Sequence, residues 1–82
     1  MSARQQIKEF ILKNFLFTED VNALADDASL VGDGVIDSTG ILELVMFLEE
    51  SLSVVVADQE MTPANFDSIN AITAFVEKKR TA

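Results

Sequence analysis

At 82 residues the chain has room for one domain, 1–82, and not two. Its formal net charge of -8, from 14 acidic and 6 basic residues, repels phosphate backbones and anionic membranes, so nucleic acid and membrane insertion are set aside and proteins with basic patches become the natural partners. With no cysteine and no histidine, the chain lacks a disulfide framework, a thiol nucleophile, the commonest metal ligand and the best proton-transfer group near neutral pH, and it reads as a non-enzyme without a metal.

A hydrophobic fraction of 49% argues for a folded chain. The opening MSARQQIKEF lacks the apolar run of a signal peptide, and no stretch approaches the roughly 18 apolar residues of a membrane span. A cytoplasmic location is the default expectation.

The first predicted helix runs from Ala3 to about Phe17, with Ile7, Phe10, Ile11 and Phe15 stepping along one stripe and Leu12 and Leu16 beside it. Ser2 and Gln5 fit the pattern that opens a helix. A long connection follows, about 18–37, with Gly32, Gly34 and scattered apolar residues, among them Leu24, Leu30, Val31, Val35 and Ile36. A connection of that length in a small domain is functional or disordered, and its apolar residues suggest that it packs over the core.

A second helix is predicted from Ser38 to about Leu52, with Ile41, Leu44, Val45, Leu48 and Leu52 facing inward and Glu43, Glu49 and Glu50 outside that stripe. Ser38 stands where the N-cap belongs. Gly40 in the first turn costs about 1 kcal/mol relative to alanine. The run Ser53 to Ala57 reads as an extended connection with Val54 and Val56 pointing inward, since a lone strand would have no partner. Thr62-Pro63 reads as a cap followed by proline at the first helical position, opening a short turn through Phe66. The last helix runs from Asp67 or Ser68 to Lys79, with Ile69, Ile72, Phe75 and Val76 inward and Lys78, Lys79 and Arg80 at its negative end. The expected fold is all-α: a small four-helix bundle of three main helices and one short one.

Few residues offer chemistry. The pairs Asp26-Asp27 and Glu49-Glu50 are sequence neighbours that do not face each other on a helix, and they read as solvated surface. Asp27 to Ser38 has some look of a calcium loop, but Val31 takes a ligand position and Ser38 stands where a bidentate glutamate is needed. What remains is Gly34-Val35-Ile36-Asp37-Ser38-Thr39-Gly40 running into Ile41-Leu42-Glu43-Leu44-Val45. A serine that ends a loop and opens a helix offers its hydroxyl at the positive end of the dipole, where a phosphate ester is favoured by about 0.3–1 kcal/mol.

Asp37-Ser38 at the head of an acidic amphipathic helix resembles the phosphopantetheine attachment motif of acyl and peptidyl carrier proteins. The resemblance spans nearly the whole chain, through DSTGILELVMFLEE and on to ADQEMTPANFDSINAITAFV, which is similar to the third and fourth helices of carriers. It implies an acyl-carrier-protein-like bundle that is modified by a phosphopantetheinyl transferase using coenzyme A. Ser38 would bear the 4'-phosphopantetheine, whose thiol holds an acyl or aminoacyl group as a thioester, and Asp37 would help present Ser38. Glu43, Glu49 and Glu50 match the family's acidic recognition face, and Leu42 and Met46 its apolar contacts. The implied partners are acyl- or aminoacyl-activating ligases and acyltransferase or synthase enzymes with basic patches, met by a monomer.

The sequence departs from the family at three places. Thr39 replaces the frequent leucine, Gly40 stands where fatty-acid carriers often have an acid, and Val55 is apolar where an acid is common. The NFDSINAITAFV ending looks more like discrete carriers of specialised pathways, polyketide or nonribosomal peptide, than fatty acid biosynthesis. The competing reading is a non-catalytic acidic interaction module without a prosthetic group.

Overall fold

The computed structural model describes residues 2–81, the last by its backbone alone. Four α-helices carry the chain: α1 (Ala3–Asn14), α2 (Ser38–Ser51), α3 (Pro63–Phe66) and α4 (Ile69–Thr81). Single 3-10 turns at Val21–Ala23 and Asp58–Glu60 punctuate the connections, and no strand forms among the described residues. The fold is the expected small helical bundle. No described helix is long and apolar enough to cross a membrane.

Helix α1 opens at Ser2, whose hydroxyl accepts the Gln5 amide at 3.2 Å. Ile7, Ile11 and Leu12 are buried, while Phe10, Phe15 and Leu16 pack at the edge of the core. The helix stops at Asn14, short of the expected end near Phe17. The chain turns left-handed at Phe17, φ 54°, and the Thr18 amide reaches back to the Leu12 carbonyl at 3.0 Å. Helix α2 ends the same way: Ser53 has φ 57° and the Val54 amide donates to the Leu48 carbonyl at 3.3 Å. Glycine usually takes such a position, because a side chain there costs about 1–2 kcal/mol.

The long connection does pack over the core, burying Leu24, Leu30 and Ile36, while Val31 stays exposed. It is fastened at two points. Asp26 takes hydrogen bonds from Lys8 (2.8 Å) and Arg4 (3.1 Å), its carbonyl accepts the Asn70 amide, and Arg4 also bonds Asn70. The Lys8 hydrogen bond, helped by Arg4, holds the Asp26 carboxyl below the ordinary carboxylate range. At the second point, the Asp67 carboxylate accepts from the Ser29 hydroxyl (2.8 Å) and the Val31 amide (3.1 Å), while its carbonyl accepts the Leu30 amide. Leu30 then accepts the amides of Val35 and Ile36, at 2.8 and 3.1 Å. A chain of backbone bonds thus leads from the α3–α4 corner to the residues just before α2.

Ile41, Leu44, Val45 and Leu48 bury the inner stripe of α2. Beyond it Val54 and Val56 point inward and Val55 is 77% exposed, which is the alternation expected of an extended segment. Pro63 takes the first position of α3, but the Thr62 side chain caps nothing; the amide of Asn65 bonds the Thr62 carbonyl instead. Phe66 anchors this four-residue helix in the core. Ser68 accepts the Ala71 amide at 3.0 Å, and α4 then packs against α1 and α3. Glu60 caps the Ala57 amide and pairs with Lys79 at 2.8 Å, a hydrogen bond that lowers the Glu60 pKa.

One core position is discordant. Thr73 on α4 is 4% exposed and its hydroxyl has no hydrogen-bond partner among the described residues. Thr73→Val keeps the shape and removes a desolvated hydroxyl, so thermal unfolding should show a gain of about 1 kcal/mol; a loss of stability would mean that the hydroxyl has a partner in solution.

Candidate functional site

The Asp37-Ser38 junction differs from expectation in one respect. Asp37, not Ser38, is the N-cap of α2: its Oδ1 accepts the Gly40 amide at 2.8 Å, and its carbonyl takes the first helical bond from Ile41. Both residue types cap well, so their adjacency in sequence left the choice open. Burial of Ile36 and the bond from its amide to Leu30 decide it, by fixing where the chain enters the helix. Ser38 is therefore the first helical residue. It is exposed, and its hydroxyl serves no structural hydrogen bond among the described residues. The amides of Ser38 and Thr39 likewise have no partner among the described residues, as is usual for donors in the first turn of a helix.

Gly40 has a steric reason. A Cβ there would sit 3.0 Å from the Phe15 ring and 3.1 Å from the Ile36 side chain. The end of α1 thus lies against the start of α2, and a side chain at this position would press on the Phe15 ring and Ile36, which would have to shift by a few tenths of an ångström.

Beside Ser38, the side chains of Ile41, Leu42, Met61 and Pro63 line an open depression of about 290 Å³. Met61 and Pro63 come from the segment leading into α3, so the α2–α3 side presents an apolar floor next to the serine. Neither residue is assigned to the site by the sequence, which marks Pro63 only as a helix start, because their pairing with α2 depends on how the chain returns after Val56.

The five residues of the predicted recognition face are all exposed on one side of α2, where steps of three, four and seven residues bring them together, and they border two different depressions. Glu43, Met46 and Glu50 meet around a groove of about 370 Å³ with Phe10, Asn14 and Phe47. Its floor is the Phe10–Phe47 pair, stacked with ring centroids 4.3 Å apart. Leu42, 52% exposed, turns to the Ser38 side instead. Glu49 is exposed but already occupied, since Oε2 accepts the Val56 amide at 3.3 Å and ties the extended segment to α2. The acidic helix therefore offers an acidic-aromatic groove against α1 and an apolar depression against α3.

No family model matches the chain, and no curated protein matches it.

Proposed function

We propose that this protein is an acyl carrier, holding an acyl or aminoacyl group as a thioester on a phosphopantetheine arm esterified to Ser38. The observation that carries the reading is the division of labour at the head of α2. Asp37 does the capping, which leaves the Ser38 hydroxyl exposed with no structural duty. A phosphodiester at this serine would sit at the positive end of a 14-residue helix, next to the unpartnered amides of Ser38 and Thr39.

The arm would supply the thiol that the polypeptide lacks. Asp37 would orient Ser38 toward the transferase through the cap itself, since losing the cap frees the first turn. Leu42, Met61 and Pro63 would shelter the first apolar atoms of the cargo. Glu43 and Glu50 would steer basic partner enzymes, a contact that weakens with salt over a screening length of about 8 Å. We place the protein in the cytoplasm as a monomer.

Incubation with coenzyme A and a broad-specificity phosphopantetheinyl transferase should add one phosphopantetheine to the intact mass, and Ser38→Ala should abolish the gain. No gain in the wild type, or a gain that survives the substitution, ends the carrier reading and leaves the acidic interaction module. Stability separates the neighbours. Ser38→Ala should change unfolding free energy by no more than about 0.5 kcal/mol, whereas Asp37→Ala should cost about 0.5–2 kcal/mol. Chemical denaturation of both variants checks the assignment; a larger loss at Ser38 would return the cap to the serine.

A further inference from the structure

Phe17 combines two unfavourable features. It is 84% exposed, the most exposed of the large apolar side chains described, and its backbone lies at φ 54°, a region that bulky residues avoid. Neither burial nor ring packing offsets the strain: the described ring contacts join Phe10, Phe15, Phe47, Phe66 and Phe75 and leave Phe17 out. Glycine or asparagine would make the same turn with less strain. A strained residue that the fold does not need is a pointer to function.

Local hydrogen bonds close the segment around it. The Thr18 amide bonds Leu12, the Asp20 amide bonds the Thr18 hydroxyl at 3.1 Å, and the Asn22 amide bonds Asp20 Oδ1 at 2.9 Å. Phe17 is therefore held out from a hydrogen-bonded turn. Val21, 56% exposed, follows on the same turn, and Glu19 and Asp20 stand exposed between the two. The turn belongs to the Ser38 end of the bundle, because Phe15, two residues earlier, lies against Gly40.

We propose that Phe17, with Val21, is a docking anchor for the transferase that acts on Ser38, seated in an apolar pocket with a basic rim; the inference rests on the carrier reading. Charge selects the occupant. Glu19 and Asp20 flank the aromatic and the whole chain carries a net charge of -8, which opposes a second copy or an anionic lipid surface and favours a basic protein. The groove between α1 and α2 serves steering, whereas the Phe17 turn supplies the apolar contact that sets affinity.

The test uses the full chain, coenzyme A and a broad-specificity phosphopantetheinyl transferase, with loading followed by mass. Phe17→Asn should raise KM for the carrier about tenfold with kcat unchanged, the shift expected from losing one aromatic anchor. The same substitution relieves the left-handed strain, so its melting temperature should hold or rise, opposite to a folding defect. Val55→Ser, at an exposed valine outside the turn, should leave KM unaltered. Wild-type loading with an unchanged KM for Phe17→Asn overturns the anchor and leaves the carrier standing. An equal KM rise in Val55→Ser, or a wild-type dimer in sedimentation that Phe17→Asn dissolves, also overturns it. No wild-type loading at all removes the carrier reading and the anchor with it.

Discussion

Phe66→Ala should lower the unfolding free energy by about 3–5 kcal/mol, close to all the stability a domain of this size holds. Phe66 is fully buried, and its ring meets Phe75 edge-on at 5.4 Å between centroids. It is also the only buried residue of α3, a four-residue helix far too short to persist without tertiary anchoring. Removing the ring leaves a cavity that α3 fills only by moving, and Met61 and Pro63, which floor the depression beside Ser38, stand just ahead of it in the chain. Urea denaturation should show the midpoint falling towards zero denaturant. A loss below about 1 kcal/mol would mean that α3 is dispensable to the core.

The second large effect falls on the α3–α4 corner. Asp67→Ala should cost about 1–3 kcal/mol, because the Ser29 hydroxyl and the Val31 amide lose a shared acceptor. The damage should be local as well as global. Leu30 bonds the Asp67 backbone and in turn holds the Val35 and Ile36 amides, so loosening the fastening should speed hydrogen exchange at Val35 and Ile36. Those residues lead directly into Asp37 and Ser38, so under the proposed carrier function loading of Ser38 should slow with them. Asp67→Asn keeps a side-chain acceptor oxygen and should recover most of the protection. Exchange at Val35 and Ile36 that matches the wild type in Asp67→Ala would show that the loop holds itself.

Residues with a strong period behaved as the sequence predicts. The stripe of Leu44, Val45 and Leu48 is buried, as are Ile69, Ile72 and Val76. Val54 and Val56 turn inward while Val55 does not. Periodicity suffices there because a helix or an extended segment fixes side-chain direction over a few residues. Capping was harder to read. Asp37 and Ser38 are both good caps, as was Thr62, which caps nothing through its side chain. The end of α1 was also missed, because an exposed phenylalanine in the left-handed region carries none of the signals that stop a helix.

The candidate site divides along the same line. By itself the sequence determines that an acidic helix begins at an Asp-Ser pair after a long loop, that no cysteine or histidine competes with that hydroxyl, and that the helices bury one face each. Tertiary structure alone decides that Asp37 takes the cap and frees Ser38, that Phe15 and Ile36 approach Gly40 closely, and that Glu49 turns to Val56 while Glu43 and Glu50 flank a stacked aromatic pair. The physical reason is range. Helical period and charge act between near neighbours in the chain, whereas caps, close approaches and shared grooves depend on segments that meet only when the bundle closes.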